Sequence, residues 1–172
     1  MPNYGKYRGK VVDPIDPLQL GRIVALVPAI SEMPLSWAMP ATPYAGPGVG
    51  LFAIPPVGAN VWIEFEGGDA NYPIWSGCFW GEGDVPAEPA IATTVMLKTT
   101  LGTLSIDDLN AALKLSLGAS MSLVMDATGI TLSLNAARIT LTQEAITIRY
   151  GAGSIVVSPA SVSINEGALE VM

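Results

Sequence analysis

The chain has no histidine and a single cysteine, Cys78. The first absence removes the nucleophilic triads that use histidine and the zinc sites built from His and Cys. The second removes any intrachain disulfide and any thiolate metal cluster. Cys78 is expected to be a small buried apolar group rather than a reactive thiol. Basic residues are few: Lys and Arg number 8 against 15 Asp and Glu, for a net charge of −7. In the first ninety residues four basic side chains face nine acidic ones. A nucleic-acid partner needs a basic face, so none is expected. Long apolar runs are missing too. The longest spans Ile23 to Ile30 and is interrupted by Pro28, against the ~20 residues that cross a bilayer. The opening MPNYGKYRGK is positively charged but has no apolar stretch behind it, so no Sec leader is read there.

What is present is apolar. Half of the 172 residues are hydrophobic and 13% are charged, more apolar than an ordinary soluble domain. With no membrane span to absorb it, the excess is expected to be buried between chains. The length allows one ordinary domain or two small ones.

The composition changes near residue 90. Eleven of the twelve aromatics, all but Tyr150, precede residue 81, and thirteen of the fourteen prolines, all but Pro159, precede residue 90. The seam, GEGDVPAEPA from Gly81 to Ala90, has linker composition. It predicts domains at 1–90 and 91–172. The first half reads as short strands cut by turns. Val61, Ile63 and Phe65 alternate with Trp62, Glu64 and Glu66, which puts the two sets on opposite strand faces. Gly67-Gly68-Asp69 is expected to reverse the chain into a partner strand from Tyr72 to Phe79. About five short strands without a helix-period segment predict a small closed barrel. Large flat side chains supply most of the buried area in so small a barrel. Trp37, Trp62, Trp75 and Trp80 are therefore its expected anchors, and a stacking platform for bases or sugars is the rival reading.

From Thr94 the pattern is one strand plus one turn, repeated. Leu113, Leu115 and Leu117 alternate with other residues, as do Met121, Leu123 and Met125, then Ile130, Leu132 and Leu134, then Ile139 and Leu141. Ile146 and Ile148, Ile155 and Val157, Val162 and Ile164, and Leu169 and Val171 continue the series, mostly separated by Ser and Thr. The expected trimer core is the set Leu113, Leu115, Leu117, Leu123, Ile130, Leu132, Leu134, Ile139, Leu141, Ile146, Ile148, Ile155, Val157, Val162 and Ile164. Two architectures fit. One is a single-chain solenoid with three strands per coil. The other is a triangular prism shared by three chains. Some 80 residues make little more than three coils of a lone solenoid with both ends uncapped, so the prism is preferred. Roughly nine strands at ~4.8 Å each give a shaft near ~40 Å long. A helix is the competing local reading around Asp107-Asp108-Leu109, where Asp107 is a possible cap, but the period-two runs on either side favour strand.

The segments GKVVDPIDPLQLGRIVALVP and LSWAMPATPYAGPGVGLFAIPPVGANVWIEFEGGDANYPIWSGCFWG resemble the N-terminal OB-fold of contractile-tail spike proteins. That family includes phage baseplate assembly protein V, cell-puncturing tail spikes, the VgrG spike of type VI secretion, and spikes of extracellular injection systems. The similar elements are Gly21-Arg22-Ile23, Trp37 with Pro40, Tyr44-Ala45-Gly46, Pro56-Val57-Gly58, the Val61-to-Phe65 strand, Gly68-Asp69, Pro73-Ile74-Trp75 and Gly77, over about residues 8 to 81. The repeat after residue 93 is similar to the family's trimeric needle. The resemblance implies an all-β fold, an N-terminal OB-fold barrel followed by a C-terminal intertwined trimeric β-helix. It implies a homotrimer assembled in the bacterial cytoplasm that functions in a virion tail or injection particle.

The expected task is structural. A central spike carries the force of a contracting sheath to a target envelope, which it touches transiently. The expected partners are a separate hub or baseplate protein, inner tube and sheath machinery, and a PAAR-like tip protein beyond Met172. The linker is too short for a wall-cleaving lysozyme domain, and without histidine a metal-binding apex is not expected. The alternative is a trimeric fibre or adhesin whose OB-fold binds a glycan or surface ligand. No catalytic, metal or cofactor site is expected. Glu64 and Glu66, with Asp69 nearby, are the one carboxylate pair with acid–base potential, but a solvated face is the more usual role of such a pair. Asp107, Asp108 and Asn110 read as a turn rather than a calcium loop, since the Gly and distal Glu of such a loop are missing. Lys6, Arg8 and Lys10 share one strand face. They are expected either to dock an acidic hub or to form a hydrated edge.

Overall fold

The computed structural model describes residues 2–171. Strands dominate, and the chain divides into two compact units between Val85 and Pro86.

The first unit is a closed barrel. Its strands are β1 (Tyr7–Asp13), β2 (Val24–Leu26), β3 (Met39–Pro40), β6 (Asn60–Phe65) and β7 (Pro73–Phe79), in the order β2-β1-β6-β7-β3. The two end strands meet through an antiparallel bridge. The amide of Ile23 donates to the carbonyl of Ala38 at 3.2 Å, and that of Ala38 donates back to Ile23 at 2.7 Å. Closure removes the sheet's edges. β3 runs parallel to β7 and the other pairs are antiparallel, which is the connectivity of a five-stranded OB barrel. A short hairpin, β4 (Ala45–Gly46) and β5 (Val49–Gly50), stands apart from this sheet. Alternation does what the sequence predicts: Val61, Ile63 and Phe65 point inward with Val11, Ile23, Ala25, Val27, Ala38 and Trp75.

Four expectations change here. Strand β6 stops at Phe65, and Glu66 enters a single 3-10 turn, Glu66–Gly68, so Glu64 and Glu66 do not share a strand face. Cys78 is exposed rather than buried. It stands one residue from the end of β7, beyond a bulge: Val61 pairs with Cys78 and Ile63 with Trp75, so β7 spends one more residue than β6 between these pairs. Gly77, at φ +133°, takes up the extra residue and reverses the parity after Trp75. Trp80 lies just past β7 and is 65% exposed, so it does not cover the barrel. The aromatic contribution to the buried core comes from Phe65 and Trp75, whereas Trp37 and Trp62 are half-buried.

The second unit is one ten-stranded sheet in which each strand pairs with the next: β8 (Thr94–Lys98), β9 (Gly102–Asp107), β10 (Ala112–Leu117), β11 (Met121–Asp126), β12 (Gly129–Leu134), β13 (Ala137–Leu141), β14 (Ile146–Tyr150), β15 (Gly153–Val157), β16 (Val162–Ile164) and β17 (Leu169–Val171). There are ten strands where the spacing suggested nine. A solenoid stacks successive coils in parallel, and every pair here is antiparallel, so the lone-solenoid reading is removed. The helical reading near Asp107 falls as well. Its carboxylate accepts from the amides of Leu109 at 3.0 Å and Asn110 at 3.2 Å, closing the turn between β9 and β10.

Candidate functional site

Register decides what the ten-stranded sheet presents. The residues facing one another across successive strands form continuous columns. One column runs Val95, Ile106, Leu113, Met125, Ile130, Leu141, Ile146, Val157, Val162, Val171. The next runs Leu97, Leu104, Leu115, Leu123, Leu132, Ile139, Ile148, Ile155, Ile164, Leu169. A shorter third column holds Leu117, Met121 and Leu134, then Ala137, Tyr150 and Gly153. The columns are two residues apart along each strand, so they share one face. All fifteen residues expected in the trimer core stand in these columns.

The other face carries Met96, Ser105, Lys114, Val124, Thr131, Thr140, Thr147, Val156 and Ser163 in one column and Thr103, Ser116, Ser122, Ser133, Arg138, Arg149 and Ser154 in another. The sheet is therefore two-sided, one face apolar and the other mostly polar. Its apolar face has nothing over it in a single chain: Leu132 is 47% exposed and Leu115 49%. Monomers rarely expose contiguous apolar patches larger than a few hundred Å², and here two ten-membered apolar columns lie side by side on one face. The chemistry of the face is that of association, since its two long columns hold only Leu, Ile, Val and Met. The sequence reading left out β8 and β9, whose Val95, Leu97, Leu104 and Ile106 extend both columns to ten members. The signal was present as the same alternation, hidden by the apolar Leu101 inside the intervening turn.

The barrel's polar groups are largely engaged with one another. Lys6 binds Glu64 at 2.9 Å and the Ser76 hydroxyl at 2.7 Å. This pairing, above all the hydrogen bond from Lys6, holds the Glu64 carboxyl below the usual carboxylate range. It is ionised at neutral pH and cannot serve as a proton donor. Arg8 lies over the rings of Trp62, at 5.6 Å, and Phe79, at 5.4 Å. Of the three basic residues considered for hub contact, Lys10 is exposed, Lys6 already has a carboxylate, and Arg8 is stacked. Although Cys78 is exposed, the protein atoms around its thiol displace some of the water there, and this desolvation raises the thiol above its ordinary value and disfavours the thiolate. A groove of about 690 Å³ opens between β3, the β4–β5 hairpin and β7. Its lining, including Leu20, Met39, Leu51 and Ile54, is mainly apolar. Among the described residues no group of three or more His, Cys, Asp or Glu is placed to hold a metal, and no helix is long and apolar enough to cross a membrane. Met172, beyond which a tip partner was expected, lies outside the described residues.

These features agree with comparisons to known families. A model of the type VI secretion system/phage-baseplate injector OB domain matches residues 7–80. A model of the phage baseplate V C-terminal trimerisation domain matches residues 133–170. No curated protein matches the chain.

Proposed function

The chain belongs to the spike family of phage baseplates and type VI secretion systems, and from that premise we propose that it is the central spike of a contractile injection machine. The family assignment carries a structural role and a homotrimer. The finer reading is that the spike is non-enzymatic and conveys sheath force to a target envelope. The observation that carries it is the pair of ten-membered aliphatic columns, bare in one chain, in a sheet that overlaps the trimerisation match.

Three such sheets, apolar faces inward, form a triangular prism with a dry centre. The fifteen core residues fill that centre. Leu, Ile and Val suit it because their stacked side chains leave no polar group in need of a partner. The strand-to-strand hydrogen bonds run along the shaft from level to level, and in three chains those of one level must fail together before the prism parts there. The barrel, spanning residues 1–90 in this reading, meets a separate hub protein, with Lys10 the most available basic contact. Residues 91–172 form the shaft, and a PAAR-like tip protein caps it. Inner tube and sheath supply the motion, in a virion tail or an injection particle.

The deciding experiment is the mass of the purified full chain in solution by light scattering. A trimer at micromolar concentration is expected. A stable, folded single subunit would overturn the proposal.

A further inference from the structure

This inference rests on the trimer reading and concerns how three chains find one register. The aliphatic columns cannot specify it alone, because Leu, Ile and Val recur at every level and a sheet slipped by one hairpin meets an almost identical surface. The charges are not so uniform.

In a meander, alternate turns fall on opposite edges of the sheet. The β9–β10, β11–β12 and β13–β14 turns place Asp107, Asp108, Asp126 and Glu144 along one edge. Beside the other edge stand Lys98, the last residue of β8, Arg138, the second of β13, and Arg149, the fourth of β14. Lys114 sits mid-strand. Glu166 lies at the basic edge and reaches Arg149 at 3.7 Å, with its side chain 82% exposed.

Two further observations show that this sorting has a use. Arg138 and Arg149 are direct cross-strand partners, and like charges directly opposite destabilise a ladder, so the pair calls for more negative charge than one remote glutamate. The arginine pair also has an acidic counterpart at its own height in the stack. Arg138 and Arg149 are level with Glu144 in the turn that joins their strands, and Lys98 on β8 is one strand away from Asp107 at the end of β9. Hydrogen bonds from the side chains of Asn110 and Thr128 hold the carboxyls of Asp107 and Asp126 below the usual carboxylate range.

A cyclic trimer has heterologous interfaces, in which one edge of each subunit meets the opposite edge of the next. We propose that the acidic edge of each protomer's sheet docks against the basic edge of a second copy of this chain, so that charge sets a parallel, unshifted ring. Inverting one chain while keeping its apolar face inward exchanges its edges and brings acid to acid. Sliding one chain along the axis separates Glu144 from the arginine pair.

The test uses four full-length proteins: the unaltered chain, Glu144→Arg, the double variant Arg138→Glu with Arg149→Glu, and the chain with all three substitutions. Trimer dissociation on heating is followed by light scattering in low salt and in ~1 M salt, where screening acts within ~3 Å. Each half-swap is expected to lower the dissociation temperature by several degrees in low salt, less so in high salt, and the triple variant to recover most of the loss. Half-swaps without effect, or a triple variant as weak as the two losses combined, would overturn the proposal. If a half-swap fails to fold, Glu144→Gln decides: the salt sensitivity of dissociation should fall, and an unchanged sensitivity overturns edge pairing. A monomeric unaltered chain defeats the trimer reading itself, whereas a trimer indifferent to every swap defeats only the edge pairing.

Discussion

Arg22 and Asp16 meet fork to fork in the barrel unit. The guanidinium Nη2 lies 2.6 Å from Oδ1, and Nε is 3.1 Å from both carboxylate oxygens. The same carboxylate accepts from the amides of Leu18, Leu20 and Arg22, so one side chain fastens the whole loop between β1 and β2. Its own exposure is only 4%. On its other side Arg22 lies over the ring of Trp37 at 5.4 Å.

Acid stability should report this loop. The hydrogen bonds from Arg22, and then those from the backbone amides, pull the Asp16 carboxyl far below the carboxylate range. A group whose folded value is depressed contributes its full stability above the unfolded value of about 3.9 and loses it as pH falls toward the folded value. Thermal melts of the unaltered chain should therefore hold steady from neutral pH to about 5 and decline below about 4. Asp16→Asn should melt lower at neutral pH and show a shallower acid decline. Equal acid slopes in the two proteins would contradict this.

Trp75 and Trp80 should respond oppositely to substitution. The Trp75 indole donates to the buried Gly21 carbonyl at 3.1 Å. Trp75→Phe leaves that oxygen without its partner and should cost about 1–3 kcal/mol in denaturant unfolding. Trp80→Ala removes an exposed ring and should stay within about 0.5 kcal/mol.

Leu132→Asp or Leu141→Asp puts a carboxylate in the middle of an aliphatic column. Its unpaired burial costs several kcal/mol in each of three chains. Light scattering should find the mutant monomeric, or aggregated through its bared face. An unchanged heat-resistant trimer would show that the columns do not line the centre.

Gly129 opens β12 at φ +142°, where a Cβ would run into the carbonyl oxygen of Leu141. Gly129→Ala should cost about 3 kcal/mol or more, because strained backbone and a collision with a hydrogen-bonded strand add. Gly118→Ala is the control, since its Cβ meets open space at φ +59°; it should cost only about 1–2 kcal/mol. Circular-dichroism melts distinguish the two.

Much of this was legible in the sequence because alternation is local. Val61, Ile63 and Phe65 point inward, and the runs from Leu113 to Val171 share a face, since a strand's period of two needs no tertiary information. What failed to show depended on events between strands. Cys78 reads as buried from its residue type, but it stands one residue from the end of β7 and is exposed, beyond a bulge that only the pairing with β6 reveals. Trp80 reads as an anchor from its residue type, but its place just past the end of β7 leaves it outside. Glu66 continues the alternation on paper, whereas the chain has already turned. The edge sorting of Asp126, Glu144, Arg138 and Arg149 was invisible for the same reason: which turn falls on which side follows only once every strand is known to pair with its successor.

That succession has a consequence for length. Each strand of the second unit reverses the chain, so adding one strand would exchange left and right for everything after it and turn the later charges against their neighbours. Adding a hairpin restores the handedness and inserts two new levels without disturbing those above or below. Shafts built on this plan grow or shrink in even steps, and an odd insertion is the length change they tolerate worst.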